Sequence, residues 1–393
     1  MQPFDVAIVG AGPAGSHAAW KLARTGARVA LLDGSHPREK PCGGGVTGRA
    51  LDMLRHAFGT DATDSKGAAK GIDAVAIRGA SFQNGQQRAH IGFDARPSVP
   101  ELVVASRAQF DSALLCAAQA AGATHLPVRV VDISKETTGW VLATRAAPVR
   151  ARWVLGADGA NSLVRRRLSQ PFARADLSIA TGFFVHGVSS SEMAIAFEEQ
   201  PRGYLWSFPR RDHLAVGVCA QADEASTASL IPLASRWVSR HVHSPSRLER
   251  YSWPIPSLRE SAARREDPAG PGWMLLGDAA GMVDPITREG IFFALLSAEI
   301  AADALVNADR DPAAVYRTRV RQTIFDELAR AARLKARFFE PGFTSLLVRA
   351  LQQSASIREI MIDLIAGRQA YRGLRRRLLA TMELRLMFDL LMQ

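Results

Sequence analysis

The stretch Val6–Gly15, VAIVGAGPAG, constrains this chain more than any other. Its apolar residues up to Val9 read as a short buried strand. Gly10, Gly12 and Gly15 then fill a G-x-G-x-x-G spacing, and Pro13 is placed to open a helix running to Thr25. In such a unit the first glycine permits a tight turn. The second lets the backbone approach a pyrophosphate, and the third lets helix and strand pack closely. The phosphates would sit at the positive end of the helix. A second strand, Arg28–Leu32, ends at Asp33, where an acid can accept hydrogen bonds from ribose hydroxyls. Strand, turn, helix and acid together point to a dinucleotide site, without separating NAD from FAD.

The chain has 393 residues, enough for two to three structural units with ample core. Its net charge of +11 is carried mainly by arginine. That suits solubility, or attraction to anionic substrates, cofactors or membrane surfaces. No nucleic-acid-binding motif accompanies the charge, so no nucleic acid partner is expected. Three cysteines, Cys42, Cys116 and Cys219, argue against a disulfide framework and for a reducing, cytoplasmic compartment. No secretory leader is read at the start, and no apolar run is long enough to span a bilayer. His241 and His243 form the closest histidine pair and find no further ligands nearby, so no metal site is expected.

Further along, Pro37–Leu51 reads PREKPCGGGVTGRAL. Three successive glycines, Gly43–Gly45, do not suit a regular element; they let backbone pass close to something flat or bulky. The segment is either a flexible loop with a buried cysteine or a loop pressed against a cofactor ring. Residues 72–104 alternate in short strand-like runs. Arg107 precedes a helix, and Val128–Ile133 and Trp140–Thr144 read as strands. In ARWVLGADGANSLVRRR, Asp158 lies just beyond a buried strand, which is a ligand position in open α/β sheets or a plain Asp-Gly turn. Leu177–Ala220 is strand-rich with turn residues between runs, as in an antiparallel sheet. Tyr204, Trp206 and Phe208 alternate on one face of it, a hydrophobic face or the wall of an apolar substrate pocket. Trp273–Leu276 runs into Gly277-Asp278, then Pro285, then a helix opening near Gly290, whose free N–H groups could face negative charge. The remainder is helical and arginine-rich. Tyr371–Leu391 reads as a helical cap on the core, with a peripheral membrane contact as the alternative.

Four segments stand in a fixed order: Val9–Gly15 with Asp33, Arg107, Gly156–Gly159, and Gly277–Gly290. That order resembles the FAD-containing hydroxylase-like superfamily. KPCGGGVTGRAL at Lys40–Leu51, the Y-x-W-x-F-P run at Tyr204–Pro209 and AGRQAYRGL at Ala366–Leu374 resemble the geranylgeranyl reductase family within it. The resemblance implies FAD as the cofactor, with Gly10, Gly12, Ala14, Gly15, Asp33, Cys42, Gly43, Gly45, Arg107, Val130, Asp158, Asp278, Gly290 and Ile291 around it. It implies catalytic roles for Cys42, Tyr204 and Trp206, the cysteine beside the flavin and the aromatics lining the substrate cavity.

The expected fold is therefore α/β: a Rossmann-like FAD-binding domain (1–71, 105–175 and 270–310), an inserted antiparallel β-sheet substrate domain (72–104 and 176–269) and a helical C-terminal region (311–393). The expected function is that of an FAD-dependent oxidoreductase reducing C=C bonds of an isoprenoid or other apolar substrate, a lipid among them, by hydride transfer from flavin N5. No second glycine fingerprint is read, so NAD(P)H would bind transiently or a reduced carrier protein would supply electrons. An FAD-dependent monooxygenase hydroxylating an aromatic or other electron-rich substrate is the alternative.

Overall fold

The computed structural model describes residues 3–58, 74–93, 102–308 and 311–381. The expectations for residues 72–73, 94–101 and 382–391 fall outside these residues.

Two large sheets carry the molecule. The first has eight strands and contains the glycine fingerprint. Its first strand, Phe4–Val9, lies between Val29–Leu32 and Val149–Gly156, both parallel to it. Trp273–Leu275 continues the parallel run beyond Val149–Gly156, and Thr124–Leu126 continues it beyond Val29–Leu32. A hairpin, Val130–Glu136 with Gly139–Thr144, adds antiparallel strands. Strands buried on both faces need continuous apolar sequence, which explains why the fingerprint strand lacks polar alternation. The helix Pro13–Ala23 covers one side and packs beside Ile291–Asn307; the His17 ring meets the Glu299 carboxylate between them at 2.7 Å.

The second sheet has seven strands. Leu177–His186, His213–Gln221, Arg202–Pro209 and Glu192–Glu199 run antiparallel as their alternation suggests. One pairing departs from the antiparallel expectation: Glu192–Glu199 runs parallel to Gly79–Asn84. Residues 72–104 also do not act as one unit. Gly79–Gly92 joins the large sheet as a hairpin, whereas Ala74–Ala76 and Leu102–Ala105 form a small sheet with Gly45–Thr47. The glycine run is thus partly regular, because Gly45 opens a strand whose register is fixed by Leu102–Ala105.

The two faces of the seven-stranded sheet are covered differently. The helix Thr227–His241 buries Leu230, Ala234 and Val238 on one face. On the other, Tyr204 and Trp206 pack with Leu347, Val348 and Leu351 of the helix Pro341–Gln353. Among the described residues, no helix is long and apolar enough to cross a membrane.

Candidate active site

The fingerprint folds as its glycines require. Gly10 takes φ +101°, and a Cβ there would lie 2.4 Å from the Ala157 carbonyl oxygen. A Cβ on Gly15 would lie 1.8 Å from the Gly10 carbonyl oxygen, so the helix reaches the strand only without one. Ala14 is buried behind this turn. Gly12 is different. It caps the helix Pro13–Ala23 without any side-chain cap, and a Cβ there would meet only the Lys40 ammonium, at 2.9 Å. The helix N-terminus therefore opens on a cleft, with a lysine in front of it.

Asp33 ends the second strand. Its carboxylate accepts from the Ala11 N–H at 3.0 Å and the Ser35 N–H at 2.8 Å. Those bonds hold its pKa below the ordinary value although burial pushes it up. Behind it the Arg129 N lies 3.1 Å from where a Gly34 Cβ would be, and Val130 begins its strand there, buried. Asp278, at the end of Trp273–Leu275, receives no hydrogen bond from another described side chain; burial raises its pKa, and Lys40 and Arg107 oppose that. Gly290 and Ile291 start the helix Ile291–Asn307, and Asp278 Oδ1 lies 3.1 Å from where a Gly290 Cβ would be.

Arg107 does not stand free in the cleft. Its guanidinium grips Asp111 with two bonds of 3.0 and 2.9 Å, and Asp111 also takes His36 Nε2 at 2.8 Å and faces Lys40 Nζ at 3.4 Å. Asp111 is fully buried, and despite that burial its cations hold its carboxyl far below the usual range. Asp158 departs further from expectation. Its carboxylate accepts from Ser162 Oγ at 2.5 Å, Leu163 N at 2.6 Å and Val164 N at 3.2 Å. It caps the short helix Leu163–Leu168 instead of turning to the cleft, because that helix start supplies orphan N–H donors.

The cysteine loop closes the other side. Cys42 is half-buried, accepts from the Gly44 N–H at 3.3 Å, and its sulfur faces the Arg107 guanidinium. Gly43 lies against Phe208: a Cβ there would be 2.4 Å from the ring. Gly45 approaches the same ring from the next turn of chain. Arg210, buried to 2% exposure, donates to the Cys42 carbonyl at 2.7 Å and pairs with Glu39. Glu39 in turn accepts from Ser106 Oγ at 2.8 Å and Arg107 N at 3.1 Å at the start of the helix Arg107–Ala120.

Tyr204, Trp206 and Phe208 share one face, as the alternation predicts, and meet this loop through Phe208. The Tyr204 hydroxyl donates to the Thr287 carbonyl at 3.0 Å, and burial raises its pKa well above the ordinary value. It is therefore a neutral group committed to the loop before Gly290. Phe339 stacks on it at 6.1 Å.

Sequence reasoning missed Lys40, Glu39, His36, Asp111 and Arg210. Glu39 and Lys40 stand immediately before the Pro-Cys pair, which was the available signal. Asp111 stands four residues after Arg107 on one helix, which was its signal; Arg210 carries none, since its partners are distant in sequence. The histidines also group differently from the expected pair: His186, Asp212 and His213 bring ligand-type atoms within 4.8 Å. His213 Nδ1 is held on Asp212 at 2.7 Å and His186 Nε2 lies beside Arg247 at 3.1 Å, while His213 Nε2 is buried without a hydrogen-bond partner.

The cleft fits an extended dinucleotide: an uncapped helix N-terminus with a cation, an acid at each end, and a glycine-lined slot beside an aromatic wall. Comparison with known proteins agrees. A family model described as FAD binding domain matches residues 3–298. A menaquinone reductase of Mycolicibacterium smegmatis is 28% identical over 395 residues, covering 92% of this chain and 91% of that one. A digeranylgeranylglycerophospholipid reductase of Methanothrix thermoacetophila is 29% identical over 358 residues, covering 85% and 87%. A solved geranylgeranyl bacteriochlorophyll reductase-like protein from Thermoplasma acidophilum shares the fold with a TM-score of 0.76 at 22% identity, over 96% of this chain and 99% of that one. The chain belongs to the FAD binding domain family and is an FAD-dependent oxidoreductase of the geranylgeranyl reductase type.

Proposed function

We propose that this protein reduces C=C bonds in the isoprenoid chain of a lipid or other apolar substrate. The observation that carries the reading is the contact of Gly43 with Phe208, which brings the cysteine loop onto the aromatic wall of Tyr204, Trp206 and Phe208. The named substrates of the relatives, a digeranylgeranyl phospholipid and a menaquinone, are both isoprenoid.

Bound FAD, once reduced, supplies a hydride from its N5. The chain's own residues do the rest. The N-terminus of Pro13–Ala23, with Gly10, Gly12, Ala14 and Gly15, holds the pyrophosphate against Lys40. Asp33 accepts from the ribose hydroxyls, and Val130 walls the adenosine end. Arg107, oriented by Asp111, and Asp278 hold the linking groups. The N–H groups at Gly290 and Ile291 favour negative charge on the pyrimidine side of the ring. Asp158 acts by shaping the turn beside Gly10. Tyr204 and Trp206 exclude water and hold the apolar chain along the wall. An unactivated alkene accepts hydride poorly, so a proton must reach the other carbon from a fixed position. The Cys42 thiol, or a water it holds, is that donor.

The test is anaerobic. Enzyme reduced by light is mixed with a geranylgeranyl lipid while flavin absorbance is followed, and the lipid is then weighed by mass spectrometry. Rapid reoxidation with a gain of two hydrogens per double bond supports the reading. Reoxidation by oxygen alone, with hydroxylation of an added aromatic, replaces it with the monooxygenase alternative.

A further inference from the structure

Two cations in this molecule converge on one buried hydroxyl. Arg288 Nη1 donates to Ser257 Oγ at 2.7 Å and to the Pro285 carbonyl. Lys335 Nζ donates to the same Ser257 Oγ at 2.7 Å and to the Gln221 side-chain oxygen. Ser257 is fully buried. Neither cation has a carboxylate within ion-pair distance among the described residues. The Arg288 Nε is buried without any hydrogen-bond partner. Two cationic groups that share one hydroxyl oxygen repel each other. A fold that keeps such a pair normally supplies an anion to it.

The backbone adds a second sign. Arg288 has φ +62°, in the left-handed region that favours glycine. An arginine there costs energy, and strain of this kind gathers at ligand-binding positions. Arg288 also sits one residue from Thr287, whose carbonyl holds Tyr204, and two from Gly290. Lys335 shares a helix, Asp326–Phe338, whose next residue Phe339 stacks on Tyr204. The pair thus stands at the edge of the aromatic wall, beside the loop that faces the flavin ring.

We infer that Arg288 and Lys335, with Ser257 between them, bind the phosphate or diphosphate headgroup of the apolar substrate. Ser257 can turn its proton outward to a phosphoryl oxygen while both cations hold theirs. The inference rests on the isoprenoid reading given above and narrows it, because it favours a phosphorylated isoprenoid over an uncharged quinone. Exposed Asp223 and Glu224 act on Lys335 electrostatically and work against an anion there.

The experiment uses the FAD-loaded enzyme, whose cofactor occupies its own pyrophosphate site. Binding of geranylgeranyl diphosphate, geranylgeraniol and inorganic pyrophosphate is measured by calorimetry for the unaltered chain, Arg288→Gly and Lys335→Met. Glycine suits the left-handed backbone at 288, so that variant keeps the loop. The expected result is diphosphate binding at least tenfold tighter than the alcohol. Each variant loses most of that advantage while its affinity for the alcohol holds, and pyrophosphate binding weakens in parallel. Equal affinity for diphosphate and alcohol in the unaltered chain overturns the inference, as does an equal loss of both ligands in the variants. The pyrophosphate arm needs no reduction, so the headgroup site stands or falls separately from the reductase reading.

Discussion

Arg210 and Cys42 are 168 residues apart in sequence, yet the buried guanidinium of the first donates to the carbonyl of the second at 2.7 Å. Through that bond and its pair with Glu39, the end of the strand Arg202–Pro209 holds the cysteine loop in place. Arg210→Met removes both. Breaking a buried ion pair by deleting one partner costs about 3 kcal/mol or more. Thermal unfolding of the variant should show a loss of that order. Peptide mapping after brief alkylation should show Cys42 labelled several-fold faster while exposed Cys116 labels as before. Unchanged labelling at Cys42 would mean the loop is held by other contacts.

Gly43→Ala tests the contact between loop and wall. A methyl group there would meet the Phe208 ring at 2.4 Å. Overpacking of this kind costs about 1–3 kcal/mol. Turnover should fall about tenfold or more, and Phe208→Leu in the same chain should restore much of it. A double variant no better than the single one would show that backbone strain, and not the ring, is the obstacle.

Lys40→Met tests the cation in front of the first helix. Burial lowers the pKa of Lys40, while Asp111, Asp278 and Asp33 work to keep it charged and Arg107 works against that. A charge-assisted bond to a pyrophosphate is worth about 1.5–3 kcal/mol. Titration of FAD into apoprotein should therefore show affinity about 10- to 100-fold weaker in the variant, with Lys40→Arg largely retaining it. Equal affinity in all three proteins would remove Lys40 from the cofactor site.

The fingerprint and its acid were legible because strand, turn and helix follow one another within about thirty residues. The aromatic wall was legible because a period of two puts Tyr204, Trp206 and Phe208 on one face. Four things were not. The strand Arg247–Pro256 is an edge strand, and its exposed charges and two prolines hide the alternation. The helix Thr227–His241 carries Pro232 inside it, which reads as a breaker. Asp158 looked like a ligand because its position after a strand is right, but the short helix that follows claims its carboxylate. The charged network of Glu39, Lys40, Asp111 and Arg210 is assembled by tertiary approach, and only the i,i+4 spacing of Arg107 and Asp111 and the place of Glu39 and Lys40 before the Pro-Cys pair hint at it.

Lys335 gives a pH signature. Burial brings it down from its ordinary value to about 7, and Arg288 adds to the effect; Cys219, Glu224 and Asp223 oppose it. The unfolded chain holds this proton up to about pH 10.4. Between those values the unfolded state binds more protons than the folded one, so this residue makes stability rise with pH. Below about 7 both states carry the proton, so the slope vanishes and the cost of burying the charge is at its largest. Chemical unfolding of apoprotein from pH 6 to 10, set against Lys335→Met, should show the unaltered chain gaining relative stability across the window. Parallel curves would place the Lys335 ammonium in water.

The pairing of Phe4 with Ala151 and of Ala80 with Met193 has a consequence for biogenesis. The cofactor turn is complete within the first fifteen residues, but its strand lacks one neighbour until Val149–Gly156 has left the ribosome. The hairpin Gly79–Gly92 waits longer, for Glu192–Glu199. Contacts so distant along the chain make for slow folding and leave unpaired strand edges open meanwhile. A nascent chain stalled before residue 149 would present the Phe4–Val9 edge to any other strand at hand, and in the cell that edge is where a chaperone has most to protect.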